Sequence, residues 1–168
     1  MAAVTDAELN RLRSDLESHR VERKSSGADR SSIRRNICAF ANDLAGTGEA
    51  GLLLIGVTDR GECAFLEVTD ELLRILAQMG SDGNILPLPS ITVEKRTLGD
   101  CDIALVVVEP SSTPPVRYQG RAFVKVGPTL RVATPEEEQR LAERRRAGDL
   151  PFDMQPAREA GLEHLDLD

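Results

Sequence analysis

Two short runs that are almost wholly apolar limit what this chain can fold into: residues 52–57 (LLLIGV) and 101–108 (CDIALVVV). Each is too short for a buried helix and lacks polar alternation, so each reads as a strand covered on both faces. Only 3% of the 168 residues are aromatic and Trp is absent. The layers covering those strands must therefore be built mainly from Leu, Ile, Val and Ala.

The helices that supply those layers announce themselves by caps and periodicity. Thr5 and Glu8 have capping-box spacing, and Leu9, Leu12 and Leu16 follow at helical intervals, predicting a helix over about 6–18. Residues 19–24 alternate around Val21 and predict a short strand. A second helix is expected from Ser31 or Ser32, with Ile33, Ile37, Phe40, Ala41 and Leu44 on one face and Arg34 and Arg35 turned away from it. A third runs from Thr69 to about Met79, with Gly80 as its left-handed end residue. Thr134, Pro135 and Glu137 cap a fourth, and Arg144, Arg145 and Arg146 place positive charge where its dipole is negative.

Further strands are expected at 62–66, 91–97 and 130–133, with a hairpin over 116–126 turning at Gln119 and Gly120. Helices mixed with hairpin-linked strands indicate the α+β class, with a mixed, mostly antiparallel sheet. One domain is expected over 1–148, followed by an acidic linker or tail at 149–168, or the start of a further region.

The net charge of −7 argues against a polyanion partner until its distribution is considered. Between Arg20 and Arg35 six basic residues face two acidic ones, whereas from Asp149 onward six acidic residues face one basic. That asymmetry points weakly to a nucleic-acid partner; a solvated charged face is the alternative. Cys38, Cys63 and Cys101 form no C-x-x-C pair, and an odd count suits no disulfide framework, so free thiols in a reducing compartment are expected. No apolar run reaches membrane-spanning length, and a soluble, cytoplasmic protein without a membrane partner is the expectation.

Five segments in order resemble the Schlafen AlbA-like domain, as found in bacterial proteins: 17–24 (ESHRVERK), 37–42 (ICAFAN), 54–59 (LIGVTD), 114–116 (PPV) and 123–127 (FVKVG). The spacing agrees over roughly 10–146. The chain departs from the family twice. Arg23 stands where an aromatic residue is common, and a tight Gly-Gly after the Asn is expanded to residues 43–51. Members often precede ATP-binding modules, but no phosphate loop of the form G-x-x-x-x-G-K-[ST] occurs here and no ATP site is assigned.

The resemblance implies nucleic-acid binding and, in some members, RNA cleavage by three carboxylates. Matched residue by residue, those are Glu17, Glu22 and Asp59, with Lys24 beside them as a stabiliser of phosphate charge. Three converging carboxylates suit Mg²⁺ or Mn²⁺, which would polarise a phosphate and acidify a water. Each acid also has an ordinary reading: a helix end, a partner for a nearby base, a turn residue. For binding, the candidates are Arg20, Lys24, Arg34, Arg35, Lys95, Arg96, Arg117, Arg121 and Lys125, with strands 91–97 and 121–126 expected to present a basic stripe. Few aromatic residues favour shape and backbone readout of duplex or tRNA-like RNA over base stacking.

Three functions are therefore expected in competition. The first is a nucleic-acid-binding module, the second a metal-dependent endoribonuclease, and the third a non-enzymatic regulatory or assembly domain. Some family members set two such modules face to face, which implies a homodimer for a chain carrying one.

Overall fold

In a computed structural model the two apolar runs are the central strands of a four-stranded sheet. The structure describes residues 3–16 and 18–149, so the acidic segment beyond Asp149 lies outside the described residues. The elements are α1 (Asp6–Arg13), β1 (Val21–Lys24), α2 (Arg30–Asn42), β2 (Gly51–Ile55), α3 (Asp70–Gln78), β3 (Ile85–Leu86), β4 (Ile91–Leu98), β5 (Cys101–Val108), β6 (Arg117–Tyr118), β7 (Phe123–Val126), β8 (Thr129–Val132) and α4 (Pro135–Asp149). The class is α+β, as expected.

The main sheet has the order β1-β2-β5-β4. β1 and β2 are parallel, joined by α2 as the crossover helix, and the other pairs are antiparallel. Side chains alternate across the sheet. Leu53, Ile55, Ala104, Val106 and Val108 face α2 and α3, packing on Ile33, Ile37 and Leu76. Leu52, Leu54, Ile103 and Leu105 face α1, packing on Leu9 and Leu12. Helices cover both faces, which is why neither central strand alternates in sequence.

Local signals held where local hydrogen bonds decide. The Thr5 and Thr69 side chains accept from backbone amides three residues on, whereas α2 starts at Arg30, just before the expected Ser31 or Ser32, with Asp29 as its cap. Thr134 and Glu137 form the reciprocal capping box.

The differences arise from tertiary contacts. α1 stops at Arg13 rather than near residue 18, because the buried Arg23 guanidinium takes up the carbonyls of Leu12, Arg13 and Asp15. Residues 62–66 form no strand, only an isolated bridge between Val57 and Cys63. Gly80 is not left-handed; a Cβ there would sit 2.8 Å from Ile91 Cγ1, so close packing on β4 explains the residue. The hairpin over 116–126 is divided: β6 pairs with β3 and β7 with β8, leaving one bridge, Tyr118 to Arg121, across the Gln119-Gly120 turn.

The expectation of free thiols is corrected at two cysteines. Cys63 and Cys101 form a disulfide, with Cα atoms 5.7 Å apart, and only Cys38 is free. The bridge at Val57 folds the 58–63 turn back over the start of β5, an approach that spacing in sequence does not reveal.

Candidate nucleic-acid interface

The parallel pair β1–β2 sets the site. Lys24 ends β1, and its carbonyl accepts from Gly56 N at 2.6 Å and Val57 N at 3.2 Å. The 58–61 turn carrying Asp59 therefore starts beside Lys24. Residues 25–29 then lead into α2, so the first turns of α2 sit at the same end of the sheet.

The register places Glu22 opposite Leu53, on the α2 face, and Arg23 opposite Leu54, on the α1 face. Glu22 Oε2 lies 3.0 Å from Lys125 Nζ. The Lys125 ammonium is almost wholly enclosed and stands 4.9 Å over the Phe40 ring. Burial pushes its pKa below the ordinary value, and the Glu22 charge opposes that shift. Arg23 is likewise lowered by burial, against the charges of Glu22, Asp15 and Asp59. The residue at the family's aromatic position is thus a structural cap for α1.

Glu17, expected as the first carboxylate, lies outside the described residues. Asp59 is exposed in its turn. Among the described residues no three His, Cys, Asp or Glu side chains are grouped to hold a metal ion. Glu22 is engaged by the Lys125 ammonium.

The nine expected phosphate contacts divide sharply. Arg20 pairs with Glu8, Arg34 with Asp82, Lys95 with Asp102, Arg96 with Asp6 and Glu94, Arg117 with Glu138, and Lys125 with Glu22. Lys24, Arg35 and Arg121 have no carboxylate partner among the described residues. The single basic stripe is not formed: Lys95 and Arg96 lie in the main sheet on opposite faces, whereas Lys125 belongs to the separate β7–β8 pair.

Arg35 stands on the first turns of α2, where the Tyr118 ring also reaches. Arg35 Nε donates to Ser31 O, and the Tyr118 hydroxyl donates to Ser31 Oγ at 3.5 Å. The Tyr118 main chain pairs with that of Arg121 across the Gln119-Gly120 turn. Arg30 is exposed at the first position of α2, six residues after Lys24.

The expanded 43–51 loop is folded on its first residue. Asp43 takes a left-handed φ of 44° and its carboxylate accepts from Thr47 N and Gly48 N. Arg144 donates to the carbonyls of Asn42, Asp43 and Leu44. It thereby complements the end of α2 rather than of its own helix. Together with β7, this loop walls a cleft of about 300 Å³ floored by Phe40. The cleft's Lys125 and Arg131 are neutralised by Glu22 and Glu137, so it offers less to a phosphate than the α2 corner.

Two residues escaped sequence reasoning. Asn42, wholly buried, exchanges hydrogen bonds with Val116 N and O and donates to Phe123 O, tying α2 to β6 and β7. Its place at the end of the 37–42 segment of the family pattern was the signal. Phe65 is 78% exposed with a φ of 54°, and nothing in an expected strand at 62–66 distinguishes it.

A family model described as Schlafen, AlbA_2 matches residues 17–134. No curated protein gives a significant match. Among solved structures, the chain is similar to the DIP2311 protein from Corynebacterium diphtheriae, with a TM-score of 0.47 and 17% identity. That match covers 68% of this chain and 25% of the other, so the chain spans about a quarter of that protein's length. No helix of the described residues is long and apolar enough to cross a membrane. The family match runs from the segment before β1 to the cap of α4 and takes in every strand of the main sheet; the chain belongs to the Schlafen AlbA_2 family.

Proposed function

We propose that the chain binds nucleic acid through the phosphate backbone, at the corner where the end of β1 meets the first two turns of α2. Lys24, Arg30, Arg35 and Arg121 are the contacts. The observation that carries this reading is their lack of carboxylate partners among the described residues, while six other candidate cations are neutralised. A cation already paired must break that pair to meet a phosphate; an unpaired one releases only counterions from the nucleic acid. Such contacts position a backbone without reading sequence. Folded RNA such as tRNA, or a duplex, is the substrate to test. Cleavage through Glu17, Glu22 and Asp59 gains no support from the pairing of Glu22 with Lys125.

The test is filter binding to tRNA and to duplex DNA between 50 and 200 mM salt. Affinity is expected to fall steeply with salt, and Lys24→Ala or Arg35→Ala to lower the logarithmic salt slope by about 1 each. Arg96→Ala, which removes a paired cation, is expected to leave the slope unchanged. Binding that is absent, or insensitive to salt, overturns the reading.

A further inference from the structure

We infer that Phe65 is a stacking platform for an unpaired nucleobase, so that the protein prefers nucleic acid with single-stranded nucleotides. This rests on the backbone-binding reading and adds to it the class of substrate.

Single exposed apolar side chains are ordinary on protein surfaces. Phe65 differs in how it is held. Its φ of 54° lies in the left-handed region, which a residue with a bulky side chain rarely adopts. The segment around it is fixed on both sides. Cys63 is tied to Cys101 at the start of β5, and Ala64 N donates to Gly56 O at 2.8 Å. Leu66 and Val68, just beyond, pack against the core of α2 and α3. The ring is therefore presented outward by a rigid loop, which reduces the ordering that a ligand must impose.

Its position is as informative as its exposure. Gly56 accepts from Ala64 and donates to Lys24 O. The Ala64 backbone thus lies about two strand spacings, roughly 10 Å, from the Lys24 backbone, and Phe65 is the next residue along. A flat apolar face beside unpaired cations is what a single strand uses, with base on ring and phosphate on cation. A regular duplex stacks its bases internally and offers none to Phe65. Unpaired nucleotides, as in the loops of a folded RNA, offer both parts.

The experiment is fluorescence anisotropy of the full chain with three labelled probes: an oligothymidylate of about twelve nucleotides, an abasic strand of equal charge, and a duplex of equal length. The oligothymidylate is expected to bind most tightly. Phe65→Ala is expected to weaken oligothymidylate binding roughly tenfold or more while sparing the abasic strand and the salt slope. The chain contains no Trp, so Phe65→Trp installs a sole reporter. That variant is expected to retain affinity, and its fluorescence to be quenched by oligothymidylate but not by the abasic strand. If Phe65→Ala binds oligothymidylate as wild type does, or the Trp is not quenched while salt-sensitive binding persists, the stacking role is overturned and the backbone reading stands. If no probe binds in a salt-sensitive manner, both fall together.

Discussion

Glu22 and Lys125 come from strands of two different sheets and meet at 3.0 Å, with the lysine enclosed and the glutamate partly exposed. An enclosed ammonium needs that charge, because removing one partner of a buried pair leaves the other desolvated and unmatched. Glu22→Gln is expected to destabilise the fold, with a coupling to Lys125→Met of about 0.5–3 kcal/mol in a double-mutant cycle by urea unfolding. The sign of the pH dependence follows from burial, which lowers the folded pKa of Lys125 below its ordinary 10.5. Stability from this group therefore rises with pH between the folded value and 10.5. The Glu22→Gln penalty should be largest near neutrality and shrink towards pH 10.5. An equal penalty at both would show that the pair does not carry it.

Arg23 acts as the C-terminal cap of α1. Replacing it with Ala strands the carbonyls of Leu12, Arg13 and Asp15, at a cost of about 1–3 kcal/mol. Lysine should not rescue the loss, because an ammonium lacks the planar fork that reaches several acceptors at once. Hydrogen exchange is the measurement: amides of α1 should exchange faster while those of α2 keep their protection.

Reduction of Cys63–Cys101 reopens a 38-residue separation in the unfolded chain, and about 2–4 kcal/mol of stability should go with it. Urea midpoints with and without reductant measure this. Cys38 serves as an internal control, since burial pushes its thiol up to about 11 and keeps it unreactive in the folded protein. A thiol reagent should find no reactive cysteine before reduction. Rapid labelling of Cys63 in unreduced protein would contradict the bond.

Glu137 is held by two hydrogen bonds from Arg131, at 2.6 and 2.8 Å, and by Thr134 N. The Arg131 bonds, with that amide, bring its pKa from 4.5 to about 2. For an acid with a lowered folded pKa, stability is present above the unfolded value and lost as pH falls through the folded one. Glu137→Gln should therefore lower the melting temperature at pH 7 and match wild type near pH 2, the difference closing between pH 4.5 and 2.

How much of this was legible in the sequence depends on the range of the forces involved. β2, β5, α3 and the caps at Thr5, Thr69 and Thr134 were legible because each is decided within a few residues. The C-terminal end of α1 and the division of the 116–126 hairpin were not, because partners distant in sequence decide them. The same holds for the charges. Arg96 looked free in an alternating strand, yet its partner Asp6 is 90 positions away. The candidate site was legible as a family pattern at Lys24 and Glu22, but which cations remain unpaired is a property of the folded surface alone. Glu17 lies outside the described residues, and Phe65 gave no local sign.

β4 ends the main sheet, and its eight residues leave one row of backbone amides and carbonyls without a neighbouring strand of that sheet. Along that row stand Glu94, Lys95 and Arg96, at the place where another chain would add itself by strand pairing. Charged side chains along an exposed strand border disfavour strand addition, so the border resists growth into an extended sheet. Two of these residues, Lys95 and Arg96, are ones that sequence suggested for holding a nucleic acid, and the three together are placed to keep the protein from polymerising. Replacing them with Val or Thr would leave the fold closed but its margin adhesive, with fibrils rather than unfolding as the first sign of damage.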